Sequence, residues 1–173
     1  MAMEFAKTLL VLGGARSGKS GFAQRAAEAQ GGELVYVASA QAFDEEMAAR
    51  IARHQGERDA RWRTVEAPVA LAAAIGGESR AGRVVLVDCL TLWASNLLLA
   101  GEDIAAHTAA LTQAIAAAPG RIVLVANEVG LGIVPDNPLA RAFRDAAGEI
   151  NQAVAEVADA VVFVAAGLPL RLK

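Results

Sequence analysis

The segment Gly13-Gly14-Ala15-Arg16-Ser17-Gly18-Lys19-Ser20 has the spacing G-x-x-x-x-G-K-S. Each fixed type has a chemical reason. Glycines let the backbone fold tightly, so that successive N–H groups point at phosphate oxygens. A helix starting at once would turn its positive end to the same place. Lys19 would reach the β- and γ-phosphates, and Ser20 would hold Mg²⁺. The run TLLVL precedes the glycines and KSGFAQRAAEAQ follows them, which is the strand-loop-helix context such a loop requires. A plain glycine turn would have no use for the terminal GKS. Asp88 ends a second apolar run, VVLVD. A carboxylate at the C-terminal end of a parallel strand suits a magnesium or water ligand of Walker-B type. The competing reading is an N-cap for a helix starting near Leu90. Cys89 reads as a small core residue.

A second constellation surrounds His54. On a helix over Phe43–His54, Met47, Ile51 and His54 fall at i, i+4 and i+7 and share one face. Arg50, Arg53, Arg58, Arg61 and Arg63 are five arginines within fourteen residues. Guanidinium forks match phosphate oxygens, so they suit a triphosphate. Histidine can also act as a covalent nucleophile. The alternative is a solvated, charge-mixed helix with a buried, hydrogen-bonded histidine, and spacing alone does not choose. His107 reads as structural or exposed.

The elements that must position these groups are legible from apolar runs. Lys7–Leu12, Glu33–Ala38, Arg83–Asp88, Arg121–Ala126 and Asp159–Val164 are short, β-branched and nearly continuous. That is the pattern of strands buried on both faces of a parallel sheet. Alanine-rich segments with helical spacing lie between them: Lys19–Gln30, Phe43–His54, Leu90–Ala100, Ile104–Ala118 and Asn137–Ala158. The alternation predicts an α/β domain with right-handed crossovers. Gly76-Gly77-Glu78-Ser79 and Gly101-Glu102-Asp103 read as surface turns. Gln55–Pro68 and Asn127–Asn137 read as irregular.

Composition narrows the class. The 173 residues fit one domain spanning 1–173. The net charge of −3 argues against a nucleic-acid partner. Alanine supplies 41 residues, so the 55% apolar content indicates helices more than a membrane segment. No uncharged apolar run reaches the ~18 residues of a span, so stable membrane insertion is not expected. A single cysteine excludes an internal disulfide and fits a reducing cytoplasm.

Four stretches together resemble one family. They are GGARSGKS, VYVASAQAFDEEMAARIARHQGERDARWRTVEAP, VLVDCLTLWASNLLL and IVLVANEVGLGIVPDNPLARAFRDAAGEINQAVAEVADAVVFVAAGLP. The chain is similar, from about Leu9 to Lys173, to the bifunctional adenosylcobinamide kinase/adenosylcobinamide-phosphate guanylyltransferases of cobalamin biosynthesis. Asn127-Glu128-Val129-Gly130, Gly132-Ile133-Val134-Pro135, Arg144-Asp145 and Asn151-Gln152 carry it more specifically than the phosphate loop does. The resemblance implies a RecA-like P-loop fold with a mostly parallel sheet, and a homotrimer. It implies that a nucleoside triphosphate, ATP or GTP, phosphorylates adenosylcobinamide. GMP from GTP is then transferred to that phosphate. By motif match the second step passes through guanylyl-His54, with Lys19 as the other catalytic residue.

The resemblance also implies that Ala38, Ser39, Ala40, Gln55, Gly56, Glu57, Arg58, Glu66 and Asp88 line the nucleotide. Mg²⁺ would sit at Ser20 and Asp88. Glu66 would offer its carboxylate to the guanine edge, and Glu128 would be a base, a wall of the corrinoid site or a loop-fixing partner. Two positions depart from the family's pattern. Arg53 stands where some members have histidine, leaving His54 the single candidate. Asp88 stands where some have glutamate, shortening the carboxylate's reach. Two other readings are a P-loop kinase for another small alcohol, with no use for His54, and a GTP-binding regulatory module with Asn127–Asn137 as its switch.

Overall fold

A computed structural model describes residues 5–41, 45, 56 and 59–173. The expected helix Phe43–His54 lies outside the described residues except at Glu45. Strand β1 (Thr8–Gly13) runs into the glycine loop, and helix α1 (Lys19–Glu28) leaves it. Then follow β2 (Glu33–Ala38), β3 (Trp62–Glu66), α2 (Leu71–Glu78), β4 (Arg83–Asp88) and α3 (Leu90–Ala100). The chain continues through α4 (Ile104–Ala117), β5 (Arg121–Asn127), α5 (Pro138–Val157), β6 (Ala160–Ala165) and β7 (Leu168–Arg171). The strands form one sheet in the order β3-β2-β4-β5-β1-β6-β7. All pairs are parallel except the antiparallel β6–β7 edge. The α/β expectation of a mostly parallel sheet with flanking helices therefore holds.

Strand alternation divides the core into two layers. Leu10, Leu12, Val35, Val37, Val85, Val87, Ile122, Leu124 and Ala126 pack against α2, α3, α4 and α5. Leu9, Val11, Leu34, Tyr36, Val84, Leu86, Val123 and Val125 face the other way, with Ala23, Ala26 and Ala27 of α1. The small alanines on α1 bring that helix close to the sheet, directly behind the glycine loop.

Three elements depart from the sequence reading. β3 occupies part of the stretch read as irregular. It is an edge strand with only Trp62 and Val65 half-buried, so it lacks the continuous apolar run of a central strand. α2 was not expected, and Gly76, Gly77 and Glu78 form its end instead of a turn. Leu71 and Ile75, one turn apart, are fully buried there. Their burial outweighs the roughly 1 kcal/mol that each helical glycine costs. β7 is exposed along its length and pairs only with β6. The Gly101 turn is present, with Gly101 at φ 70° closing α3.

Candidate active site

The C-terminal ends of the parallel strands bring the predicted residues to one edge. Gly13 is paired with Asn127 of β5 on one side and Val164 of β6 on the other. Asp88 on β4 is paired with Val125 and with Ala38 of β2, which in turn is paired with Glu66. β5 therefore stands between the phosphate-loop strand and the strand carrying Asp88. Alternation adds the decisive point. Gly13, Asp88, Asn127 and Ala38 each stand two residues beyond a residue of the α1-side layer, Val11, Leu86, Val125 and Tyr36, and Glu66 stands four beyond Trp62 of the same layer. All five therefore belong to the α1 face of the sheet.

The loop itself is tightly held. Arg16 has φ 55° and Gly18 φ 93°, the left-handed values that let the chain double back. The Ser17 N–H donates to Gly14 O at 3.3 Å, and Lys19 Nζ donates to the same carbonyl at 3.2 Å. Gly167 N–H donates to Ser17 O at 2.8 Å, tying the loop to the β6–β7 turn. A Cβ on Gly13 would stand 2.5 Å from Ser17 Oγ and 2.6 Å from Val164 O, so only glycine fits. Ala15 and Arg16 are exposed, Gly14 and Ser20 half-buried, and Ser17 and Lys19 buried.

Two buried polar atoms at this edge have no hydrogen-bond partner among the described residues: Ser17 Oγ and Asn127 Oδ1. Around Asn127 the backbone is fully committed. Its N–H donates to Thr91 Oγ1 at 2.6 Å, and its carbonyl accepts from Asn151 Nδ2 at 3.3 Å. Glu128 N–H donates to Gly13 O at 3.1 Å, so the following loop is rooted on the phosphate loop. Glu128 Oε1 accepts from Gly130 N–H at 2.7 Å, in line with the loop-fixing reading. Arg144 donates to Gly130 O at 2.8 Å, and Arg141 donates to Pro135 O and Asp136 O at 2.8 and 2.7 Å.

The other predicted positions divide. Ala38 and Ala40 are half-buried at the end of β2, and Glu66 is exposed at the end of β3. At ~4.8 Å per strand, Glu66 stands roughly 19 Å along the sheet from Gly13. Ser39 is fully buried. Its hydroxyl donates to Cys89 O at 2.7 Å and accepts from Cys89 N–H at 2.9 Å. Gly56 is exposed; His54, Gln55, Glu57 and Arg58 lie outside the described residues. The N-cap of α3 is Cys89, without a side-chain cap, so capping does not account for Asp88. Cys89 is buried as expected, and burial, with the Asp88 charge beside it, pushes its thiol up to about 11. His107 meets Glu102 at 3.1 Å and Trp93 edge to face, in line with a structural role.

Sequence reasoning missed Thr91 and Asn96. Asn96 Nδ2 donates to Ser39 O at 2.7 Å and Pro68 O at 2.9 Å, joining the ends of β2 and β3 to α3. The available signal was their polarity within a mostly apolar helix, LTLWASNLLLA, where both are buried.

Comparison with known proteins identifies the family. Residues 9–172 match the family described as cobinamide kinase / cobinamide phosphate guanyltransferase. The bifunctional adenosylcobalamin biosynthesis protein CobP of Pseudomonas aeruginosa is 51% identical over 166 residues, covering 95% of this chain and 96% of that protein. CobU proteins of Salmonella typhimurium and Escherichia coli are 44% and 41% identical, with 95% of this chain and 99% of each relative covered. In fold, the chain is similar to a type III secretion system ATPase (TM-score 0.58, 12% identity, 98% of this chain and 57% of that one). A Pyrococcus horikoshii OT3 protein gives a TM-score of 0.56 at 9% identity, covering 99% and 88%. These place the sheet among RecA-like P-loop folds. With a glycine-rich loop, Lys19 and Asp88 gathered on one face of that sheet, the chain belongs to the bifunctional cobinamide kinase/cobinamide phosphate guanyltransferase family.

Proposed function

We propose that the chain works as a single P-loop domain in the late assembly of the cobalamin nucleotide loop. It phosphorylates the aminopropanol hydroxyl of adenosylcobinamide with ATP or GTP. It then transfers GMP from GTP to that phosphate, giving adenosylcobinamide-GDP and pyrophosphate. The observation that carries this reading is the shared α1 face of Gly13, Asp88 and Asn127 beside buried Lys19.

The phosphate loop supplies backbone donors for the transferring phosphoryl group, and Lys19 adds a cation where negative charge develops. In the second step a neutral His54 nitrogen attacks the α-phosphorus. The N–P bond forms while the bond to the α,β-bridging oxygen breaks, and pyrophosphate leaves with that electron pair. The corrinoid phosphate then attacks the same phosphorus and releases the imidazole. Dividing the transfer keeps two anionic phosphates from meeting in one step. His54 holds this role by motif match and lies outside the described residues.

Ser20 and Asp88 fit a magnesium ion carried in by the triphosphate. Among the described residues no three His, Cys, Asp or Glu groups cluster to hold an ion alone. Bound there, Mg²⁺ supplies charge neutralisation on the phosphates. No helix among the described residues is long and apolar enough to cross a membrane. We also propose a cytoplasmic homotrimer; exposed Leu168, Leu170 and Leu172 at the β7 edge are apolar surface suited to contact between copies.

The test is α-labelled GTP with Mg²⁺, followed by denaturation. Wild type is expected to carry an acid-labile, alkali-stable label that His54→Ala lacks. Lys19→Ala is expected to abolish cobinamide phosphorylation, while His54→Ala largely spares it. An unlabelled wild type, or equal loss of kinase activity in both folded variants, contradicts the assignment.

A further inference from the structure

We propose that Asn127 orients the acceptor alcohol in the phosphorylation step, through a hydrogen bond from the substrate hydroxyl to its Oδ1. The inference rests on the kinase reading above. It begins with Oδ1, buried at the end of β5 and without a partner among the described residues. An unsatisfied buried acceptor costs roughly 1–3 kcal/mol, so its retention calls for a partner that arrives.

Position limits what that partner is. Asn127 is paired with Gly13, and it lies on the α1 face between the phosphate loop and the strand of Asp88. Its main chain is pinned by Thr91 and Asn151, from helices α3 and α5. The carboxamide is thus carried on a fixed backbone. Chemistry then chooses the ligand group. A side-chain carbonyl oxygen only accepts. Nucleotide phosphates at neutral pH are acceptors too, and so is the Asp88 carboxylate. Neither satisfies Oδ1. The acceptor alcohol does, because it must bring an O–H to this edge to be phosphorylated.

The step balances without a base on Asn127. The alcohol oxygen forms a bond to the γ-phosphorus, and the bond to the β,γ-bridging oxygen breaks with its pair to the nucleoside diphosphate. The hydroxyl proton passes to an oxygen of the transferred phosphoryl group and then to water. Asn127 fixes the direction of the O–H, which leaves an oxygen lone pair facing phosphorus. Such positioning carries much of phosphoryl transfer.

The experiment compares the two partial reactions in one preparation of full-length Asn127→Ala. At saturating nucleotide, kcat for cobinamide phosphorylation is expected to fall about tenfold to a hundredfold. Labelling of His54 by α-labelled GTP needs no alcohol and is expected to stay within about twofold of wild type, and it also counts the folded molecules. Asn127→Asp keeps an acceptor in place and is expected to recover most of the lost kcat. An equal fall in both reactions assigns Asn127 to the nucleotide or to the fold and overturns the proposal. So does an unchanged kinase rate, or failure of Asn127→Asp to exceed Asn127→Ala. A wild-type chain that labels but never phosphorylates cobinamide defeats the kinase reading itself.

Discussion

Replacing Ser39 by alanine tests whether this residue acts on the fold or on the nucleotide. Its hydroxyl is fully buried and holds both polar groups of the Cys89 main chain. The two losses are unequal. Cys89 O keeps a second donor, Trp93 N–H at 3.2 Å, so the carbonyl retains one bond. Cys89 N–H has no such substitute and is left buried without a partner. An orphaned donor costs about 1–3 kcal/mol, and a thinned acceptor adds about 1 kcal/mol, for a total near 3 kcal/mol. In a chain of this length that corresponds to a drop in Tm of roughly 6–12 °C. Urea titration is the assay, read as a lower midpoint with an unchanged slope. Asn96→Ala removes the bond to Ser39 O and loosens the same corner, so the double variant is expected to lose less than the sum. Nucleotide affinity, measured well below the transition, is expected to change less than tenfold. Unchanged stability with collapsed nucleotide affinity would show the hydroxyl on the ligand and refute the reasoning.

Two glycines with similar crowding separate the site edge from the opposite edge. Gly13→Ala places a Cβ 2.6 Å from Val164 O at the phosphate loop and is expected to weaken nucleotide binding more than tenfold by titration. Gly120→Ala places one 2.3 Å from Arg80 O and 2.7 Å from Arg83 O, and is expected to cost about 2 kcal/mol in urea with nucleotide affinity unchanged. Cys89 gives a pH prediction. The unfolded thiol loses its proton near 9 and the folded one near 11, so between these values the native state binds more protons. Stability is therefore present in full below pH 9 and falls as pH rises to about 11, by about 2.7 kcal/mol for two units. Urea midpoints across that range should show the slope in wild type and lose it in Cys89→Ala.

Central strands were legible because both their faces are buried, which leaves continuous runs such as VVLVD and IVLVA. The phosphate loop was legible because its chemistry fixes residue types at fixed spacing. β3 escaped because an edge strand buries only part of itself, and α2 because two glycines disguise a helix held by Leu71 and Ile75. The placement of Asp88 needed the sheet order, since only pairing shows it two strands from Gly13. Asn127 was visible as a motif residue, yet its orphaned oxygen is a property of packing and no spacing encodes it. Ser39 was expected along the nucleotide, while its hydroxyl is engaged by Cys89.

The division of the edge into two faces bears on how one chain serves two reactions. The opposite layer ends in Leu12, Val37, Val87 and Ala126, apolar residues packed beneath α2 to α5. Those four side chains carry no polar group for transfer chemistry. The α1 face ends in Gly13, Asp88, Asn127 and Glu66, beside Lys19. On the proposed reading both transfers draw on this single face, and a triphosphate in the phosphate loop excludes a second one from it. Kinase and transferase turnover must then alternate, not run side by side. On the same reading, the phosphorylated corrinoid made in the first reaction is the acceptor in the second. On the proposed reading, that order demands that His54 reach the α-phosphorus of a nucleotide whose outer phosphates occupy the loop.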